Sequence, residues 1–229
     1  ALNELIESIN KRSGLHIQLI TNEPEAFSGI MARMAGFRNA KNYIALIGKN
    51  APGLEERCGY FGEQIVLKAT ELGLNTCWVA LTFNRGKCRK KCEIDSEKGE
   101  KLLMIIALGI GESNGTPHTS KPPESFYTPT GNEPEWFVRG IRAAALAPTA
   151  MNKQKFFFTL SGGFVSAESP KGFEVDLGIV KYHFEAAAGK GESRKKRRKE
   201  PQKKEKKQSH FHRVHRGGYD ESQIICYLW

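Results

Sequence analysis

Ala147-Pro148-Thr149-Ala150-Met151-Asn152-Lys153-Gln154 is the stretch on which the reading of this chain turns. It follows an Arg-bearing run of helical character, Phe137 to Leu146, and precedes an apolar strand candidate, Phe156 to Leu160. Pro148 ends the helix, because it has no N–H to donate and its ring collides with the preceding turn. Thr149, Asn152 and Gln154 then set a hydroxyl and two amides on a tight loop, and amides carry both donors and acceptors. Such a loop can meet the polar edge of a flat heterocycle. It equally suits an ordinary helix-to-strand connection in which Thr and Asn satisfy their own backbone.

A second stretch, Glu71 to Val79, closes an amphipathic helix. Phe61, Ile65, Ala69 and Leu72 recur at helical spacing on one face, and Glu63, Gln64, Lys68 and Glu71 fall away from it. Gly73 stands where a left-handed C-terminal cap is expected. The segment Cys77-Trp78-Val79-Ala80-Leu81 that follows is short and apolar, a strand or an extended loop.

Together the two stretches resemble the nitroreductase-like flavoproteins, which bind FMN. The resemblance rests on residues 69–78, on residues 142–154 and on the Asp176 to Glu185 segment, in that order, and it spans about residues 1 to 189. Each motif is weak alone; three in the expected order are specific. The order is similar to that of the branch in which one chain carries two tandem nitroreductase units and imitates the usual homodimer as a monomer. The fold this implies is α+β, a mixed, mainly antiparallel sheet flanked by helices. Its expected parts are a first half over 1–112, a connection over 113–132, a second half over 133–189, and a basic tail over 190–229. No strict sequence repeat is visible, so the two halves rest on the resemblance. The family pattern also has a basic opening segment and a closing helix and strand that are not seen here, so the chain reads as truncated at both ends.

The resemblance implies FMN as cofactor and NAD(P)H as co-substrate, with a nitroaromatic or quinone-like electron acceptor. It places Thr76, Cys77, Trp78, Val79, Ala80 and Leu81 beside the flavin, where backbone N–H groups suit N5 of the ring. Pro148, Thr149, Ala150, Asn152 and Gln154 approach from the other half. Lys121, with His118 and Ser120, is a candidate for the phosphate, and a solvated loop is the alternative. Arg142 is either an ion-pair partner or a ligand contact. No catalytic side chain is expected, because ping-pong hydride transfer of this kind needs only two rings held face to face. A different class of function is also open: a flavin-fold remnant without turnover, acting as a binding module through its basic tail.

Composition sets the outer bounds. A chain of 229 residues, 39% hydrophobic and 10% aromatic, buries a sizeable core in one domain or two. No apolar run approaches the roughly 18 residues that span a bilayer, and Leu102 to Gly111 reads as a buried strand. No signal peptide is expected from residues 1 to 10. Five cysteines, odd in number and unevenly spaced, argue against a disulfide framework and for a reducing, cytoplasmic setting.

The net charge of +10 mostly reports the end of the chain. Residues 194–229 hold twelve Lys/Arg against four Asp/Glu, and the first 193 hold 23 against 21. The run 194–207, with ten basic residues and two acidic, is expected to be disordered and is the one place where nucleic acid is a conceivable partner. An unrelated C-terminus is the other reading of so abrupt a change in composition.

Further elements follow from pattern: a helix over Leu2–Ile9, strands over Leu15–Ile20, Tyr43–Ile47 and Leu102–Ile110, and a helix over Cys58–Leu72. Others are a helix over Pro134–Ala147, a short strand at Phe173–Val175 and a helix over Leu177–Ala188. Gly109 to Gly115 is Gly-rich but fits neither the dinucleotide fingerprint nor the P-loop. Cys88 and Cys92 sit among Arg and Lys, where lowered thiol pKa values are plausible; exposed, inert cysteines are expected there and no metal site. The same holds for His210, His212 and His215, which lack nearby carboxylates.

Overall fold

The computed structural model describes residues 1–189 and the backbone of 226–228. The basic run 194–207 and the three histidines at 210, 212 and 215 lie outside the described residues.

Strands β1 (Gln18–Ile20), β2 (Tyr43–Lys49), β3 (Asn75–Val79), β4 (Glu100–Gly109) and β7 (Cys226–Leu228) form one antiparallel sheet in the order β1-β2-β4-β3-β7. The interior strand β2 is apolar from Tyr43 to Ile47 because the sheet is covered on both faces. Ile44, Leu46, Trp78, Met104 and Ile106 face one layer, and Tyr43, Ala45, Ile47, Cys77, Val79 and Ile105 face the other. Leu46 pairs with Met104 but Ile47 pairs with Leu102, so Leu103 is an extra residue in β4. This bulge lets Leu102 and Ile105, three apart, face the same layer.

The first layer is built by helices α1 (Leu2–Ser13), α3 (Leu54–Glu71), α5 (Glu135–Ala144) and α6 (Glu174–Ala188). The second is thinner. It consists of a 3-10 turn at Pro24–Phe27, α2 (Ile30–Met34) and α4 (Arg85–Lys91). A separate hairpin of β5 (Phe157–Ser161) and β6 (Phe164–Glu168) turns at Gly162 and Gly163, both at positive φ, the geometry that tight hairpins favour. Aromatic stacking ties it down: Phe156 on Phe126 at 4.2 Å, and Phe158 on Phe184 of α6 at 4.9 Å.

Helix α3 ends as expected. Gly73 takes φ 75°, its N–H bonds Thr70 O, and Leu74 N–H reaches back to Ala69 O, which is a Schellman closure. The expected two-faced character of this helix is corrected. Glu63 and Gln64 are buried, and Leu72 is the exposed residue. The reason is that α3 is wrapped by α1, α6 and the sheet, so few of its positions reach water. Its crossing with α6 is close enough that a Cβ added at Gly59 would stand 2.0 Å from Val175 O, and one at Gly178 would stand 2.0 Å from Glu56 O.

Other expectations also change. Phe173–Val175 is not a strand but the entry to α6. Glu174 and Asp176 suit the positive end of a helix, and the Glu174 carboxylate accepts the Gly172 N–H at 2.9 Å. Only Gln18–Ile20 of the run 15–20 is a strand, with Leu15 making a single bridge to Gly48. Helix α3 starts at Leu54, not Cys58, and β3 stops at Val79, leaving Ala80 and Leu81 beyond it. Helices α2 and α4 and strand β6 are additions to the reading from sequence.

The α4 cysteines are also corrected. Cys88 is fully buried and Cys92 half-buried, both beside the interior Tyr43. Burial, more than any neighbouring charge, pushes the Cys88 thiol up to about 12 and Cys92 to about 11, and Cys58 in α3 also reaches about 12. Arg85, which donates to Leu102 O and Leu103 O, pulls the Cys88 value down but does not offset burial. Each of these thiols stays neutral in the fold, whereas an unfolded chain ionises near the ordinary 9.0. Their stabilising contribution is therefore complete below pH 9 and lost as pH rises toward the folded values. Urea midpoints are expected to hold level up to about pH 9 and then fall toward pH 11, less steeply in C88S. A flat profile across that window would contradict this account.

Candidate functional site

The loop after α5 is held in an uncommon shape. Met151, Asn152 and Gln154 all lie in the left-handed region, at φ 51°, 51° and 49°. A side chain there costs roughly 1–2 kcal/mol against the ordinary helical region, so the surroundings must hold it. They do so by hydrogen bonds. Thr149 Oγ1 accepts the Gln154 N–H at 3.0 Å, and Thr149 O accepts the Asn152 N–H at 2.9 Å. Asp176, buried in the first turn of α6, accepts the Ala150 N–H at 3.0 Å.

The same loop is stitched to the segment that follows β4. Gln154 is buried; its Nε2 donates to Thr119 O at 2.8 Å and Asn152 Oδ1 at 2.7 Å, and its Oε1 accepts the Lys121 N–H at 2.8 Å. Asn152 Nδ2 also donates to Thr119 O, at 2.9 Å. Lys121 Nζ donates to Lys153 O at 3.1 Å, and Ser120 Oγ to Ala145 O at 2.8 Å. His118 Nε2 stands 3.1 Å from Leu146 O. Thus Lys121, with His118 and Ser120, is brought together with Thr149, Ala150, Asn152 and Gln154. Arg142 points away into solvent.

The β3 residues make a different kind of wall. Thr76, Cys77, Trp78 and Val79 are buried side chains, so only backbone outside the doubly paired Cys77–Val79 ladder is open to a ligand. One edge of β3 pairs with β4 from Asn75 to Val79, and the other pairs with β7 from Cys77 to Val79. Ala80 and Leu81 lie beyond both ladders, and Leu81 is 62% exposed. Strand β7 also packs against the 150–152 turn, which sets that turn at the β7 edge of the sheet, one strand out from β3.

The residues present suit a flavin mononucleotide. Leu146 and Met151, before and within the loop that carries Asn152, are exposed apolar side chains, and Lys121 and Lys153 put positive charge on the same loop pair. A planar ring with an anionic tail needs that combination of apolar surface, edge donors and cations. Asp176, Thr119, Glu63 and His183 were not singled out by sequence reasoning. The available signal for Glu63 was Gly59 and Gly62 on the same helix, since small residues mark a face in close contact.

Among the described residues no group of three or more His, Cys, Asp or Glu is placed to hold a metal ion, and no helix is long and apolar enough to cross a membrane.

Comparison with known proteins follows the same line. The model of the family described as "Putative TM nitroreductase" matches residues 1–188. No curated protein matches. Among solved structures, one described as a "putative nitroreductase" from Thermotoga maritima MSB8 aligns at 23% identity and a TM-score of 0.51, over 74% of this chain and 64% of that one. The chain thus spans 64% of the length of that structure. An FMN-dependent nitroreductase from Clostridium difficile R20291 aligns at 16% identity and a TM-score of 0.40, over 52% of this chain and 79% of that one. The Thermotoga likeness establishes a nitroreductase-like α+β fold, as the sequence implied. With its family model covering all but the end of the chain, the protein belongs to the TM nitroreductase family.

Proposed function

We propose that this chain is an FMN-dependent oxidoreductase that passes a hydride from NAD(P)H to a nitroaromatic or quinone-like acceptor. The observation that carries the reading is the strained 149–154 loop, fixed by hydrogen bonds at the β7 edge of the sheet, one strand out from β3. Backbone held in a sparsely populated conformation by its surroundings marks a functional site more often than a plain connection.

When bound, the flavin supplies the two-electron chemistry. The chain's own residues do the positioning. Ala80 and Leu81, free of strand pairing, offer backbone on one side and are held in place by Thr76–Val79, and Pro148, Thr149, Ala150, Asn152 and Gln154 line the other. Lys121 and Lys153 supply cationic charge for the phosphate. No side chain is assigned a proton-transfer role, so the rate gain comes from orientation of the reacting rings. The proposed arrangement is two nitroreductase units in one chain, working as a monomer in the cytoplasm.

Purified protein mixed with FMN is expected to quench flavin fluorescence with saturation near one equivalent and to bleach anaerobically with NADH or NADPH. Bound flavin that neither nucleotide reduces would remove the oxidoreductase reading. Absence of binding would remove the flavin site itself.

A further inference from the structure

Glu63 has no exposure to solvent and yet carries a carboxylate in the middle of α3. Its two oxygens are divided between two other elements. Oε1 lies 2.8 Å from His183 Nε2 in α6, and Oε2 accepts from Trp78 Nε1 in β3 at 3.2 Å. Trp78 is fully buried, and His183 is 9% exposed. The indole lies tight on α3: a Cβ at Gly62 would stand 2.5 Å from its ring. With the ring clamped on one face and its N–H tied, Trp78 has one orientation, and the β3 backbone follows it.

An interior carboxylate costs several kcal/mol to desolvate, and hydrogen-bonded partners only offset this. An apolar residue would fill the same space at less cost. The position of the partners shows what the carboxylate does instead. His183 and Asp176 are seven residues apart on α6, two helical turns, and so share a face. Asp176 holds the Ala150 N–H of the loop, and His183 holds Glu63 and through it Trp78. One rigid helix is therefore bonded to both walls of the site.

We propose that Glu63, with His183, is a positioning residue of the flavin site: it ties the β3 wall to α6, and α6 sets the spacing between that wall and the 149–154 loop. This rests on the flavin reading above. Glu63 touches neither cofactor nor substrate in this role and acts through Trp78.

The test uses the full chain with Glu63→Leu and Glu63→Gln, FMN as the probe, and amide hydrogen exchange over residues 76–81. Gln keeps both bonds, its carbonyl accepting from Trp78 and its amide donating to a neutral His183. E63L is expected to remain folded by circular dichroism, to bind FMN roughly tenfold more weakly, and to exchange faster at 76–81 with β4 unchanged. E63Q is expected to restore both readouts to within about threefold of the parent. Parental affinity and exchange in a folded E63L overturn the proposal, as does an E63Q as impaired as E63L. If E63L does not fold, E63Q against His183→Leu carries the same comparison. Should the parent chain take up no FMN, the flavin reading fails, and the exchange at 76–81 alone still decides whether Glu63 holds β3.

Discussion

Gly178→Ala is expected to lower stability by about 3 kcal/mol, although alanine is the better helix former by roughly 1 kcal/mol. The sign is decided by what the new methyl meets. At Gly178 it would stand 2.0 Å from Glu56 O and 2.5 Å from Tyr60 N, both backbone atoms of α3. Backbone cannot rotate away, so the helices must part. Parting strains three cross-helix ties at once: Lys181 to Glu56 at 2.6 Å, Tyr60 to Glu185 at 2.7 Å, and His183 to Glu63 at 2.8 Å. Gly59→Ala meets Val175 O at 2.0 Å and should behave alike. Gly140→Ala is the comparison: its methyl would stand 2.5 Å from the buried Phe184 ring, a side chain and not backbone, and is expected to cost less than the Gly178 change. Urea unfolding of the three variants checks the order. A Gly178 variant as stable as the parent would mean that the helices are not in backbone contact.

Gln154→Ala should be the most damaging single change for ligand binding, with FMN affinity falling at least about tenfold. The substitution removes the donor to Thr119 O and Asn152 Oδ1 and the acceptor for the Lys121 N–H. It takes the Gln154 partner from Asn152 Oδ1 and the Lys121 N–H and leaves Thr119 O only its bond from Asn152 Nδ2, while the Lys121–Lys153 and Ser120–Ala145 ties between the loops remain. Gln154→Gly separates two causes. Glycine relieves the strain of φ 49°, worth about 1 kcal/mol, but restores no hydrogen bond. Q154G is therefore expected to be more stable than Q154A and equally poor at binding FMN. Equal affinity in Q154A and the parent, measured by flavin-fluorescence quenching, would show that the 118–121 segment does not depend on this amide.

The elements that were legible in the sequence are those whose signals are local. Gly14 and Gly73 end helices at positive φ, and the apolar run of β2 reads as a strand because both its faces are covered. Pro148 places the end of α5 to within a few residues. What stayed hidden depends on distant parts of the chain. Glu63 looks like a surface residue until α6 arrives from more than a hundred positions away, and Cys88 looks reactive among its lysines until Tyr43 is packed beside it. Phe173–Val175 has the composition of a strand, but the two acidic residues Glu174 and Asp176 favour a helix start there. At the proposed site, the loop 147–154 was singled out by its residue types. Its left-handed backbone and its stitching to Thr119 and Lys121 could not be, since neither Met151 nor Gln154 announces such a conformation.

Wrapping α3 on nearly every side has a consequence for how the chain acquires its shape. On synthesis this helix emerges long before α6, which is separated from it by the connection after β4 and the α5 segment. Until then the groove at Gly59 has no Val175 to fill it, and Glu63 has Trp78 but not His183. Closing so distant a contact is slow and entropically demanding, so the newborn N-terminal portion waits as an unfinished half, and the late helix acts as its keystone.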